Sequence, residues 1–153
     1  MKKPFQLNLG CGNRPLKDSV NHDREKFADH VDVSWDMEMF PWPRQEKLFD
    51  CVFARDVLEH ISPRNFYSVM NEIWDLLRPE GLLGIQVPKH GSKNAIIDPT
   101  HWRGFDVQSF DYLDPSKRLG KACWTTSKRW AVVEARELPR TDVNLSFKLR
   151  KIP

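Results

Sequence analysis

Gln6-Leu7-Asn8-Leu9-Gly10-Cys11-Gly12-Asn13 runs a short apolar strand, begun at Phe5, straight into a Gly-x-Gly turn. Glycine accepts positive φ and carries no Cβ, so a ligand can lie almost against the backbone there. Two glycines alone usually make only a turn. The signal strengthens at the next apolar segment, Val20-Asn21-His22-Asp23, which ends on a carboxylate. In an open α/β sheet, ligands bind beyond the carboxyl ends of the strands, where an acidic side chain can accept both hydroxyls of a ribose.

Ten residues separate Gly12 from Asp23. A dinucleotide-binding βαβ unit spends about 20 there, so the first crossover helix is expected to be shortened or absent, and Pro15 argues the same way. His30 to Trp35 alternates with period two and reads as a third strand, followed by Asp36-Met37. Phe40-Pro41-Trp42-Pro43 is expected to form a rigid surface loop, because its prolines donate no backbone hydrogen bond. Phe49 to Ala54 is a fourth, buried strand. Ser62-Pro63 opens a helix whose Phe66, Val69, Met70, Ile73, Leu76 and Leu77 make one apolar face, stopping at Arg78-Pro79-Glu80-Gly81. Leu82 to Val87 is strand five, and 89–127 is irregular with a short helix around Val107 to Leu113. Lys128 to Leu138 and Asn144 to Ile152 are two last strands, and the short Pro139–Asp142 connection favours an antiparallel hairpin.

This order predicts one α/β domain over 1–153: a Rossmann-like three-layer sandwich, its mostly parallel sheet closed by an antiparallel C-terminal hairpin. The chain contains no apolar stretch of membrane-spanning length and no charged-then-apolar leader, and it is expected to be soluble and cytoplasmic. Three well-separated cysteines argue against a disulfide framework. The formal charge of +3 conceals an asymmetry. Residues 1–115 hold 14 Lys/Arg and 18 Asp/Glu, residues 116–153 hold 10 and 3. The basic tail is either a solvated surface or a face for an anionic acceptor such as nucleic acid.

Three segments carry a resemblance to the class I S-adenosylmethionine-dependent methyltransferases, in particular to small, type-11-like domains. They are Leu7-Asn8-Leu9-Gly10-Cys11-Gly12, then Phe49-Asp50 with Val57-Leu58-Glu59-His60-Ile61, and Leu77-Arg78-Pro79-Glu80-Gly81-Leu82. The resemblance implies S-adenosylmethionine as cofactor. Gly10 and Gly12 would approach its methionine and ribose parts, and Asp23 would accept from the ribose hydroxyls. Asp36 would meet the adenine amino group with Met37 against the ring, and Ala54 and Arg55 would line the sulfonium end through backbone groups. Asp56, Glu59 and His60 form acid-x-x-acid-His, which looks like an element of some O-methyltransferases. His101, within Asp98-Pro99-Thr100-His101, is a later partner for it. Asp56 is one carbon shorter than the glutamate of that element, and no metal is expected. His60 and His101 are the expected catalytic residues, with His60 acting as a base or orienting the acceptor. The acceptor, small molecule or nucleic acid, is not resolved, nor is the oligomeric state. A catalytically silent binding module and an NAD(P)-dependent oxidoreductase are the competing readings. The missing third glycine and the absent substrate domain count against the latter.

Overall fold

A computed structural model describes residues 4–123, 125–139 and 144–153. Seven strands form one sheet: β1 (Gln6–Leu9), β2 (Val20–Asp23), β3 (Val33–Ser34), β4 (Phe49–Arg55), β5 (Leu77–Pro88), β6 (Arg129–Glu137) and β7 (Asn144–Ile152). Their spatial order is β3-β2-β1-β4-β5-β7-β6. The first five run parallel, and β7 pairs antiparallel with both β5 and β6. Strand order reverses between β1 and β4, so the carboxyl ends of those two strands flank the crevice where such sheets take ligands. The expected α/β sheet and its closing hairpin are present; the hairpin's connection at 140–143 lies outside the described residues.

Buried positions alternate along the central strands. Val52 and Ala54 of β4, Leu83, Ile85 and Val87 of β5, and Leu145, Phe147 and Leu149 of β7 are all closed to solvent. Onto this face packs α1 (Phe66–Leu76) with Phe66, Val69, Met70, Ile73 and Leu76, spaced at three and four so that they share one side of the helix. Phe105, Phe110 and Leu113, from the long connection after β5, complete the layer. That connection adds two single-turn helices, α2 (Lys93–Ile96) and α3 (Arg118–Lys121). At Val107 to Leu113 the structure forms a 3-10 turn, Asp111–Leu113. Trp124, in the same connection, lies outside the described residues.

The opposite layer is thin, and the reason is local. The connections β1→β2, β2→β3 and β3→β4 contain no helix. Asn8 and Asn21 sit side by side in the β1–β2 register and turn the strand pair into a polar anchor for the connecting loop. Asn8 Nδ2 donates to Asn21 Oδ1 and to the Arg14 carbonyl; Asn21 Oδ1 accepts from Leu16 N–H, and Asn21 Nδ2 donates to the Leu16 carbonyl. These bonds satisfy loop backbone groups that a helix would have satisfied internally. The absent first crossover helix is therefore replaced by side-chain amides.

Several boundaries differ from the sequence reading. Strand three shrinks to two residues because Asp32 bonds sideways: its carboxylate accepts from Asn21 N–H and its own N–H donates to Asn21 O. The helix starts at Phe66 rather than at Ser62, whose N–H is taken by Glu38 Oε1. It also ends earlier, with β5 beginning at Leu77. The 40–43 tract is a loop, but Trp42 is buried in the core beside Trp35 and donates from Nε1 to the Met37 carbonyl. No helix among the described residues is long and apolar enough to cross a membrane.

One buried cation ties the last strand to α1. Lys151 Nζ donates to the Trp74 carbonyl (2.9 Å), which also accepts from Leu77 N–H, and to the Leu77 carbonyl (2.6 Å) where the helix ends, and lies 3.6 Å from the Trp74 ring centroid. Burial lowers its pKa. Lys151→Met keeps the stem and removes both bonds. Hydrogen bonds to charged groups contribute about 1.5–3 kcal/mol each, and the ammonium's own desolvation offsets part of that. A net loss of about 2 kcal/mol in urea unfolding is expected, and an unchanged midpoint would show the contact to be energetically idle. Four other tail cations are paired: Lys128 with Asp75, Arg136 and Lys148 with Glu134, and Arg150 with Glu80.

Candidate functional site

β1 gives way to Gly10 (φ +64°), Cys11 and Gly12 (φ +51°), and this turn is stitched to the end of β2. Cys11 N–H donates to the His22 carbonyl at 2.8 Å, and Gly12 N–H donates to Asp23 Oδ2 at 2.7 Å. Gly10 N–H reaches His22 Nδ1 at 3.4 Å. A Cβ at Gly10 would stand 2.2 Å from Val57 Cγ2, whereas one at Gly12 would meet nothing within 4 Å. The first glycine thus admits the loop after β4, and the second faces open space.

His22 was not legible as a site residue. It is fully buried, its Nε2 lies 3.0 Å from the Trp35 carbonyl, and its ring lies tilted by 45° against the Trp35 indole with the centroids 3.8 Å apart. The Trp35 carbonyl can only accept, so Nε2 carries the proton and Nδ1 is the acceptor for Gly10 N–H. Burial holds its pKa down at about 4. Its only signal in the sequence is its place beside Asp23.

Asp23 lies against the glycine turn. Its Oδ2 takes Gly12 N–H and its Oδ1 takes Arg24 N–H, each oxygen keeping a further lone pair. Asp36 lies nearby through Arg24, whose Nε is 3.2 Å from Asp36 Oδ2, while Asp36 Oδ1 accepts from Glu38 N–H. Met37 is partly buried against the core. Ala54 is fully buried. Arg55 lines the opposite side of the sheet with Gln86 and Lys148, so its side chain is directed away from the core face.

After β4 the chain turns through Asp56 (φ +54°) into a 3-10 turn, Leu58–His60. Here the two histidine-bearing segments meet. Trp102 N–H donates to the Glu59 carbonyl, and Arg103 donates to the Ile61 carbonyl while its guanidinium lies 5.0 Å from the Phe66 ring centroid. The His60 and His101 rings stand edge to face at 4.6 Å. Thr100 Oγ1 lies 2.9 Å from His60 Nδ1 and 2.7 Å from Asp98 Oδ1. Glu59 is 1% exposed; its Oε1 is 4.0 Å from His101 Nε2, and its Oε2 has no hydrogen-bond partner. Burial drives the Glu59 carboxyl up to about 7, with the charges of Asp56 and Asp98 adding to the effect. Burial, and then the neighbouring His101, lower His60.

Asp56 stands apart from this cluster. It pairs with Arg14 at 2.8 Å and accepts from Gln86 and Asn144. The acid-x-x-acid-His segment therefore separates into a bonded Asp56 and a group of Glu59, His60 and His101. Asp56 and the three-residue group line one cavity of about 360 Å³, together with Arg14 and Asp98. Arg14 and Asn144 come from parts of the chain with no motif, and nothing local could have marked them. The cavity adjoins the glycine turn, because Val57 touches Gly10.

Residues 15–85, just under half of the chain, match the family model described as Methyltransferase domain. No curated protein sequence matches the chain. Among solved structures, the chain is similar to the Burkholderia thailandensis 1,6-didemethyltoxoflavin-N1-methyltransferase with bound 1,6-didemethyltoxoflavin and S-adenosylhomocysteine. The two are 18% identical, with 98% of this chain and 72% of that one covered, at a TM-score of 0.66. It is likewise similar to the N-methyltransferase NodS from Bradyrhizobium japonicum WM9 in complex with S-adenosylhomocysteine, at 16% identity, 97% and 78% coverage and a TM-score of 0.64. The [4+2]-cyclase SpnF superposes equally well, at 13% identity, 97% and 74% coverage and a TM-score of 0.65. The fold is thus that of the class I methyltransferases, and at these identities the likeness extends to the fold and no further.

Proposed function

From a chain with the sheet of a class I methyltransferase, whose residues 15–85 match the methyltransferase domain, we propose a methyl transfer from S-adenosylmethionine to an acceptor held between the β4 turn and the 98–103 segment. The observation that supports this best is the junction of Gly10 with Val57. It sets an open glycine turn with a ribose-type carboxylate beside a polar cavity, both at the strand carboxyl ends.

In this reading Gly10 and Gly12 bring bare backbone to the cofactor, and Asp23 accepts from its ribose hydroxyls. Asp36 and Met37 form the adenine end. Ala54 and Arg55 face the sulfonium end through their backbone. The cofactor supplies an electrophilic methyl group, and the protein supplies alignment. His60 and His101 touch the acceptor, held in place by Thr100 and by the edge-to-face contact of their rings. The acceptor is a small molecule or a nucleic acid.

Calorimetric titration with S-adenosylhomocysteine, S-adenosylmethionine and NAD tests the reading. Micromolar binding of both adenosyl ligands is expected. Binding of NAD alone would turn the assignment to an oxidoreductase, and binding of none to a silent module. Asp23→Ala removes two charge-assisted bonds, so affinity for S-adenosylhomocysteine should fall about tenfold to a hundredfold. A folded variant with unchanged affinity would remove Asp23 from the site. Labelled methyl transfer across RNA, phenols, sugars and protein lysate then identifies the acceptor class.

A further inference from the structure

We propose that the face of the sheet opposite α1 binds single-stranded nucleic acid, with Phe53 as a stacking platform and Lys17, Arg55 and Lys148 as phosphate contacts. The helix-free connections leave this face open. Phe53 and Arg55 of β4, Gly84 and Gln86 of β5, and Ser146 and Lys148 of β7 alternate with the core positions, and none of them is buried. The register sets them in two rows across the strands, Phe53-Gly84-Lys148 and Arg55-Gln86-Ser146. A groove of about 500 Å³ follows these rows and reaches Lys17 in the β1→β2 loop. Three cations and no carboxylate line it.

The floor of the groove suits a flat ligand. Side chains on a strand ordinarily stand away from the sheet, but Gly84 leaves a gap beside Phe53 and the ring fills it. A Cβ on Gly84 would stand 3.0 Å from Phe53 Cδ1 and 3.3 Å from Cε1, so the ring lies across the neighbouring strand. No other ring and no cation among the described residues stacks on it. A base can do so whatever its identity, because every base has a π-face.

Charge complementarity selects the occupant. Lys17 and Arg55 have no carboxylate partner among the described residues. Lys148 reaches Glu134 only at 3.8 Å, with both side chains more than one-third exposed. An exposed pair of that kind contributes little, so a phosphate displaces the carboxylate at small cost. The Gln86 and Ser146 side chains beside the cations offer hydrogen bonds to sugar and base edges. A second protein copy fits less well, since the centre of a protein interface is depleted of charge. A duplex keeps its bases stacked on one another and away from Phe53.

The test needs neither cofactor nor methyl acceptor. A fluorescein-labelled oligouridine of about 12 nucleotides is titrated into the 153-residue chain at about 50 mM salt and above, and anisotropy is read. Micromolar affinity is expected, falling with salt. Phe53→Leu keeps apolar bulk without a π-face and should weaken binding about tenfold, whereas Phe53→Tyr should bind as wild type does. Lys17→Ala and Lys148→Ala should each reduce the logarithmic salt slope by about 0.7, the share of one phosphate on a single strand. A duplex of equal length and polyglutamate should both bind more weakly. Urea unfolding checks that each variant is folded; should Phe53→Leu fail, the lysine slopes decide. No binding by the wild-type chain overturns the proposal. So do wild-type affinity in folded Phe53→Leu, unchanged slopes in both lysine variants, or polyglutamate binding as tight as that of the oligouridine.

Discussion

Gly10→Ala is expected to cost the chain both stability and ligand affinity. It places a methyl group 2.2 Å from Val57 Cγ2, well inside contact distance, and forces an L side chain to hold φ +64°. Left-handed backbone costs about 1–2 kcal/mol for a residue with a Cβ, and overpacking adds about 1–3 kcal/mol. Together they should remove roughly 3 kcal/mol from urea unfolding and lower affinity for S-adenosylhomocysteine about a hundredfold or more. The two causes can be separated. Adding Val57→Ala relieves the clash and leaves the backbone strain, so the double variant should recover about half of the lost stability, a coupling read directly from a double-mutant cycle. Normal stability and normal ligand affinity in Gly10→Ala would mean that the turn neither needs glycine nor approaches the cofactor.

The second large effect is a loss of stability in mild acid, carried by His22. The imidazole is neutral in the folded chain, with Nε2–H donated to Trp35 and Nδ1 accepting from Gly10. Its folded pKa is about 4 against about 6.5 when unfolded. The unfolded chain therefore binds the extra proton first, and stability must fall as pH drops from about 6.5 to about 4, levelling below that. The full difference corresponds to about 3 kcal/mol. Urea unfolding at a series of pH values should show this limb, and His22→Gln, which keeps a donor for Trp35 but does not titrate, should flatten it. Equal acid limbs in the two proteins would place the responsible proton elsewhere. Because the same nitrogen holds Gly10, cofactor affinity should weaken only near pH 4 and below, where the folded chain itself takes up the proton.

The strands were readable wherever burial on one face imposed alternation or an apolar run, as in β4 and β5. The missing first crossover helix was readable from chain length alone. What replaces it was not, since Asn8 and Asn21 acquire meaning only when the β1–β2 register sets them side by side. Strand three was overestimated for a related reason. Period-two alternation cannot reveal that Asp32 spends its carboxylate on a neighbouring strand's backbone. In the site, the two histidine-bearing segments were recognised as one acceptor end, and the structure brings them into contact. The division between Asp56 and the Glu59 group could not be foreseen. It depends on Arg14, Gln86 and Asn144, which reach Asp56 from three distant parts of the chain.

The helix-free connections between the first four strands have a practical consequence for anyone handling the protein. The three α-helices among the described residues contain eleven, four and four residues, so a far-ultraviolet spectrum will be dominated by sheet and irregular backbone despite the α/β topology. A weak helical band is then the signature of the native chain, and a melt followed at 222 nm will report mainly on α1. Indole fluorescence is the better probe. Trp42 and Trp130 are 3% and 0% exposed and sit at opposite ends of the sheet's buried face. Single-tryptophan variants retaining one or the other would reveal whether the two ends come apart together.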